Sequence, residues 1–133
     1  EISSVFIYDM ISEFGGPEIF YKQFYIHSPF PLAIVRASKS GQWLNANYYD
    51  DPALFEAVKD FMIESLEKHI CLGLDTSKVF VLGKKNAVFI QKLNQKTQLF
   101  DRIEILEHPR FIQQYKLKEK QAYIDRYLVT LGG

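Results

Sequence analysis

Cysteine is almost absent from this chain: Cys71 stands alone among 133 residues. A disulfide within the chain is excluded, and a reducing compartment is the default for such a sequence. An excess of charge is missing too, because 16 basic and 16 acidic residues cancel. Zero net charge gives no global attraction for nucleic acid, so any such site must be a local patch. No stretch is long and apolar enough to span a bilayer, and no signal-peptide pattern opens the sequence. No membrane partner is expected. Histidine, cysteine and carboxylate residues never recur at zinc spacing, and neither a metal nor a cofactor is expected. The glycine-rich Walker loop is missing. So is the Gly-x-Ser-x-Gly elbow, which argues against Ser28 and His108 as parts of a hydrolase triad. Repeats, low-complexity tracts and internal linkers are also absent.

What is abundant is apolar and aromatic: 47% of the residues are hydrophobic, with 11 Phe and 8 Tyr. That excludes disorder and suits a single domain with one core over residues 1–133. Cys71, on an apparent helix, reads as a small core residue rather than a nucleophile. The chain opens on Glu1 rather than Met, which reads as numbering that starts inside a longer protein or at a trimmed end.

Apolar periodicity predicts a helix capped by Ser3 or Ser4, running to about Phe14 and ended by Gly15-Gly16. A short helix follows from Pro17 to about Tyr21. Phe24-Tyr25-Ile26-His27 reads as a strand stopped by Pro29 and Pro31, and Leu32 to Val35 as a second short extended piece. Ala37 to Tyr49 reads as a long loop with a hairpin near Gly41. Asp50 or Asp51 caps the strongest helix, which has Pro52 in its first turn and runs to about Cys71. Lys78 to Leu82 suits a buried parallel strand. Gly83 turns into a helix over roughly residues 86–93, and Arg102 to Leu106 is the next strand. Pro109 to Tyr115 and Lys118 to Leu131 close the chain as helices. Strands alternating with helices predict a parallel sheet, here of three strands, covered on both faces.

Four segments carry polar residues to the expected C-terminal edge of that sheet, where such folds place ligands. They are His27-Ser28-Pro29-Phe30-Pro31, Asn45 to Asp50, Gly83-Lys84-Lys85-Asn86 and His108-Pro109-Arg110. The last is the most informative. Pro109 fixes its own φ and biases His108 toward an extended backbone, so the imidazole sits on a stiff turn. Histidine is also suited to hydrogen-bond a developing negative charge near neutral pH. Catalysis and simple helix capping both remain open for it. Gly83 to Asn86 is either a phosphate-binding turn, with N–H groups at a helix N-terminus and two cations, or a plain turn with solvated lysines. Asn45, Asn47, Tyr48 and Tyr49 either stack on and hydrogen-bond a base or pack the loop itself, with Asp50 as a cap. His69, late in the long helix, suits a dipole or core role. Lys116, Lys118 and Lys120 are either a solvated helix start or a backbone-binding patch.

Taken together, several segments resemble a bacterial branch of the uracil-DNA glycosylase superfamily, close to the single-strand-selective monofunctional uracil-DNA glycosylases. They are Phe20-Tyr21-Lys22-Gln23-Phe24-Tyr25-Ile26, Phe30-Pro31-Leu32, Asn45-Ala46-Asn47-Tyr48-Tyr49-Asp50, Leu82-Gly83-Lys84-Lys85-Asn86, and Leu106-Glu107-His108-Pro109-Arg110 onward to Tyr115. The resemblance runs from about Ser3 to Leu131. It implies a three-layer αβα sandwich with a small parallel sheet, cytoplasmic work in a bacterium, and DNA, single-stranded or damaged duplex, as the partner. It implies metal-free hydrolysis of the N-glycosidic bond of a base flipped into a pocket at the strand ends. His108 would then hydrogen-bond the departing base. Arg110 and Phe111 would act as phosphate clamp or minor-groove wedge, and Gly83, Lys84 and Lys85 would also contact DNA. Ser28 or nearby His27, with Phe30 and Asn47, would face the base. Relatives carry asparagine where Ser28 stands, and a hydroxyl lacks the two-point amide contact. The base is therefore expected to be uracil or another deaminated one.

The family's Gly- and Pro-containing loop, which orients the attacking water, has no counterpart before Phe24. The chain is accordingly expected to be the later part of a glycosylase domain, lacking its first strand and catalytically incomplete. Self-association through the face so exposed is expected. Two competing expectations are a non-catalytic nucleic-acid-binding α/β module and a small-molecule-binding α/β domain that uses the Gly83 turn for phosphate.

Overall fold

A computed structural model describes residues 2–28, 34–37, 39–40 and 43–132, with 34–37 and 43–46 described as backbone. Helices α1 (Ile2–Phe14) and α2 (Pro17–Gln23) come first, then strands β1 (Ile34–Ala37) and β2 (Trp43–Ala46). They are followed by α3 (Pro52–Ile70), β3 (Val79–Leu82), α4 (Lys84–Thr97), β4 (Ile103–Leu106) and α5 (Pro109–Tyr115). A short 3₁₀ turn at Leu117–Glu119 leads into α6 (Lys120–Gly132).

Strands β3 and β4 pair in parallel, from Val79 opposite Ile103 to Leu82 opposite Leu106. With α4 between them they form a βαβ crossover. Side chains alternate across a strand, and this small sheet shows it. Phe80, Leu82 and Leu106 pack with Phe6, Met10 and Ile11 of α1, Phe20 of α2, Ile112 of α5, and Ile124 and Tyr127 of α6. Val79, Val81 and Ile103 face the other way, onto Phe55 and Met62 of α3 and Ala87, Ile90 and Leu93 of α4. The sheet thus lies between two helical layers, the αβα arrangement expected. Met62, Phe6 and Ile112 are fully buried, so each layer has its own dry centre.

The local chemistry of several element ends is as expected. The Asp51 carboxylate accepts from Leu54 N–H at 2.8 Å and caps α3, with Pro52 behind it. Helix α5 occupies Pro109–Tyr115. Other expectations need correction. Residues 24–27 belong to no strand. Phe24 has an extended backbone, but its N–H closes α2 onto the Phe20 carbonyl, and its ring packs against Phe14, Phe20 and Phe80. Its β-propensity is met by an aromatic cluster instead of a ladder, and the described parallel sheet has two strands, not three. The supposed loop from Ala37 contains β2, paired antiparallel with β1, Ile34 opposite Ala46. The hairpin expected near Gly41 is therefore present, with residues 41–42 and Leu32 outside the described residues.

Helix α4 begins at Lys84 rather than Asn86 and ends at Thr97 rather than Leu93. Its longer tail is held by Asn94, whose side chain donates to the Phe100 carbonyl and accepts from Phe100 N–H. Ser3 and Ser4 lie inside the first turn of α1 rather than ahead of it. Cys71 is exposed, not core. It is the C-cap of α3, its N–H on the Glu67 carbonyl, one step past the helix's apolar stripe.

Candidate functional site

Leu82 and Leu106 end their strands side by side, and the two chains that leave them stay in contact. Gly83 N–H donates to the Leu106 carbonyl at 2.8 Å. Two residues on, His108 folds back over Gly83. A Cβ built on that glycine would sit 2.9 Å from Cδ2 of the His108 ring. Gly83 has φ +103, a backbone that L side chains avoid, and it is buried. As a phosphate cradle it is already engaged, because its amide serves the strand ends.

His108 is the N-cap of α5, and its ring Nδ1 accepts from Arg110 N–H at 3.0 Å. A backbone amide can only donate, so a neutral His108 ring carries its proton on Nε2. The helix-capping role and a donor role are therefore compatible: capping uses one nitrogen and sets the tautomer of the other. The turn is fixed from behind. The Tyr127 hydroxyl donates to the Glu107 carbonyl, and the Ile112 amide donates to the His108 carbonyl at 3.2 Å. Pro109 is buried at the first helical position. Burial of Tyr127, with the Glu107 charge second, raises the pKa of its hydroxyl, which keeps it a donor.

The Asn47 turn meets the same edge. Asn47 N–H donates to the Asp50 carboxylate at 2.8 Å, and Asp50 N–H returns to the Asn47 carbonyl. Asp50 thus closes this turn while Asp51 caps the helix. Tyr48 is only 5% exposed. Its hydroxyl donates to Asn86 Oδ1 at 2.5 Å, and Asn86 Nδ2 donates to the Leu82 carbonyl. Tyr48 is therefore a core tie between this turn and the start of α4, not a face on which a base could stack. Tyr49 is half-buried, with the Lys85 ammonium 5.8 Å above its ring. Burial, and then Asp50, raise its hydroxyl pKa, against an opposing pull from Arg110. Lys84, Lys85, Arg110 and Phe111 are all exposed. Residues 47–50, 83–86 and 108–111 therefore form one cluster, with the Lys85 ammonium over the Tyr49 ring, the Arg110 charge near enough to act on its hydroxyl, and a tautomer-fixed imidazole beside them.

The fourth expected segment is anchored on α3. The His27 ring lies 3.9 Å from that of His69, and its Nε2 is 3.4 Å from Ser65 Oγ. Tyr25 stacks on both imidazoles. His69 Nδ1 donates to the Ser65 carbonyl at 2.7 Å, one turn back on its own helix. Burial, then His69, lower the pKa of His27. Ser28 is exposed, and Phe30 lies outside the described residues. Sequence reasoning missed Tyr127 as a hydrogen-bonding residue. Its signal was a hydroxyl on an otherwise apolar helical stripe. Among the described residues, no three His, Cys, Asp or Glu side chains gather into a metal-sized group, and no helix is long and apolar enough to cross a membrane.

No family model matches the chain, and no curated protein does. A solved structure does: the crystal structure of wild-type Pedobacter heparinus SMUG2 superposes with a TM-score of 0.93 at 51% sequence identity. The match covers 99% of this chain and 57% of that one, so the chain spans a little over half the length of this relative.

Proposed function

We propose that this chain, of the uracil-DNA glycosylase superfamily and akin to SMUG2, contributes the leaving-group side of DNA base excision. Its residues 1–133 act as one α/β domain. The substrate is a deaminated base, uracil or a close analogue, flipped out of single-stranded or damaged DNA. When the N-glycosidic C–N bond breaks, its electron pair leaves with the base, and negative charge spreads onto a carbonyl oxygen of the base. His108 Nε2–H donates to that oxygen as the charge develops. Water adds to the sugar carbon and gives up one proton to solvent, and the base anion takes up a proton from solvent as it leaves. Lys84, Lys85 and Arg110 hold phosphates, Phe111 occupies the gap in the stack, and Asn47 faces the base, whereas His27 is held at the far end of α3 by Ser65 and His69.

One observation carries this reading: Arg110 N–H occupies Nδ1, which leaves Nε2 as the donor nitrogen of the neutral ring. The test is base release from single-stranded oligonucleotides containing uracil, hypoxanthine or xanthine, using the intact protein. His108→Ala should lower the rate by ~10²–10³, the usual loss of one donor to a developing oxyanion, with little change in DNA affinity. Undiminished release of every base the parent processes would exclude the assignment.

A further inference from the structure

We propose that Gly83 is a positioning residue for His108 and makes no contact with DNA; this rests on the catalytic reading of His108 above. Three observations converge. The glycine's N–H is held by the Leu106 carbonyl, so it has no amide to offer a phosphate. Its Cα is covered by the histidine, with an added Cβ placed 2.9 Å from ring Cδ2, 3.3 Å from His108 Cβ and 3.4 Å from Cγ. The opposite side of the ring is pinned by Arg110 N–H on Nδ1.

The imidazole is thus clamped between a missing side chain and a helix amide. Ring Cδ2 and Cγ and the side-chain Cβ are close to the Gly83 position, and turning the ring about Cβ–Cγ relieves the 2.9 Å contact only by swinging Nδ1 away from Arg110 N–H. The alternative is to lift the whole side chain. Lifting stretches the 3.0 Å bond from Arg110 N–H and releases both the direction and the tautomer of Nε2–H. A displacement on the order of 1 Å at a reacting group costs roughly 10²-fold in rate. The positive φ of Gly83 allows the strand to turn away into α4 directly beneath the ring, so the same residue shapes the turn and leaves space for the imidazole.

A double-mutant cycle decides the matter: Gly83→Ala, His108→Ala and the pair, in the intact protein. The readouts are single-turnover release of uracil from a single-stranded oligonucleotide, and binding of an uncleavable 2′-fluoro-deoxyuridine oligonucleotide. Gly83→Ala should slow release by ~10- to 100-fold, leave binding within about twofold, and cost nothing more once His108 is Ala. Losses that multiply in the double variant, or a loss of binding, would mean that Gly83 acts independently and would overturn the proposal. Full activity in Gly83→Ala alone overturns it while leaving the catalytic reading intact. Full activity in His108→Ala overturns both. Should Gly83→Ala not fold, as judged by circular dichroism, the wild-type protein decides. A nuclear Overhauser contact between Gly83 Hα and His108 Hδ2 must be present and must survive binding of the same oligonucleotide. Its absence, or its disappearance on binding, is the overturning result.

Discussion

The Tyr127 hydroxyl on α6 donates to the Glu107 carbonyl, one residue before the histidine turn. The ring is 1% exposed and meets Phe6 edge-on at 4.9 Å. One side chain therefore belongs to the core through its ring and to the strand-end site through its oxygen. Tyr127→Phe keeps the packing but leaves a carbonyl without its partner. The expected cost is about 1–2 kcal/mol, read as a lower urea midpoint with an unchanged m-value. Base release should slow only a few-fold, because the clamp on His108 itself remains. A variant as stable as the parent would show that the bond contributes nothing net.

Acid should loosen the Tyr25–His27 segment before the rest. His27 is half-buried, and its pKa is lowered from the ordinary 6.5, first by burial and then by His69. A lowered histidine is a group that prefers to be neutral in the fold. Its contribution is fully present above about pH 6.5 and is lost as pH falls through the lowered value, where the unfolded chain binds the proton more readily. His27→Gln should flatten the stability profile below pH 6.5. Chemical denaturation between pH 5 and 8 measures it, and equal slopes for the two proteins would remove His27 from the account.

Salt should report on Lys85 and Arg110. Both are exposed, Lys85 over the Tyr49 ring and Arg110 on the histidine turn, and the chain has no net charge to assist them. Each phosphate left without its cation lowers the slope of log K against log salt by about 0.7 for a single strand. Replacing both with Ala should reduce the slope by roughly twice that amount in fluorescence anisotropy titrations. An unaltered slope would place the phosphates elsewhere.

The parts legible in the sequence were those whose chemistry is local. Asp51 followed by Pro52 specifies a helix start whatever lies around it, and β3 is an apolar run closed by Gly83. His108-Pro109-Arg110 announced both a cap and a site in three residues. Phe24 to His27 misled because β-propensity describes fit to a half-buried pleated surface, and a cluster of phenylalanines offers that fit without strands. Tyr48 misled in the opposite way. Among asparagines it resembles a binding residue, but its partner Asn86 is 38 positions away. The same separation hides the meeting of His27 with Ser65, which no periodicity could reveal.

The packing of α1 against α5 and α6 has a consequence for synthesis. Helix α1 emerges from the ribosome early and its partners late. The core around Met62, Val81 and Ile90 draws on residues 48–103 and can assemble while α6 is still being made. Phe6 has to wait for Tyr127, roughly 6–24 s at ~5–20 residues per second. Through that interval the stripe of Phe6, Met10 and Ile11 has Phe20 of α2 beside it but lacks Ile112, Ile124 and Tyr127. A core begun by α1 is thus completed only when α6 has left the tunnel, more than a hundred residues later.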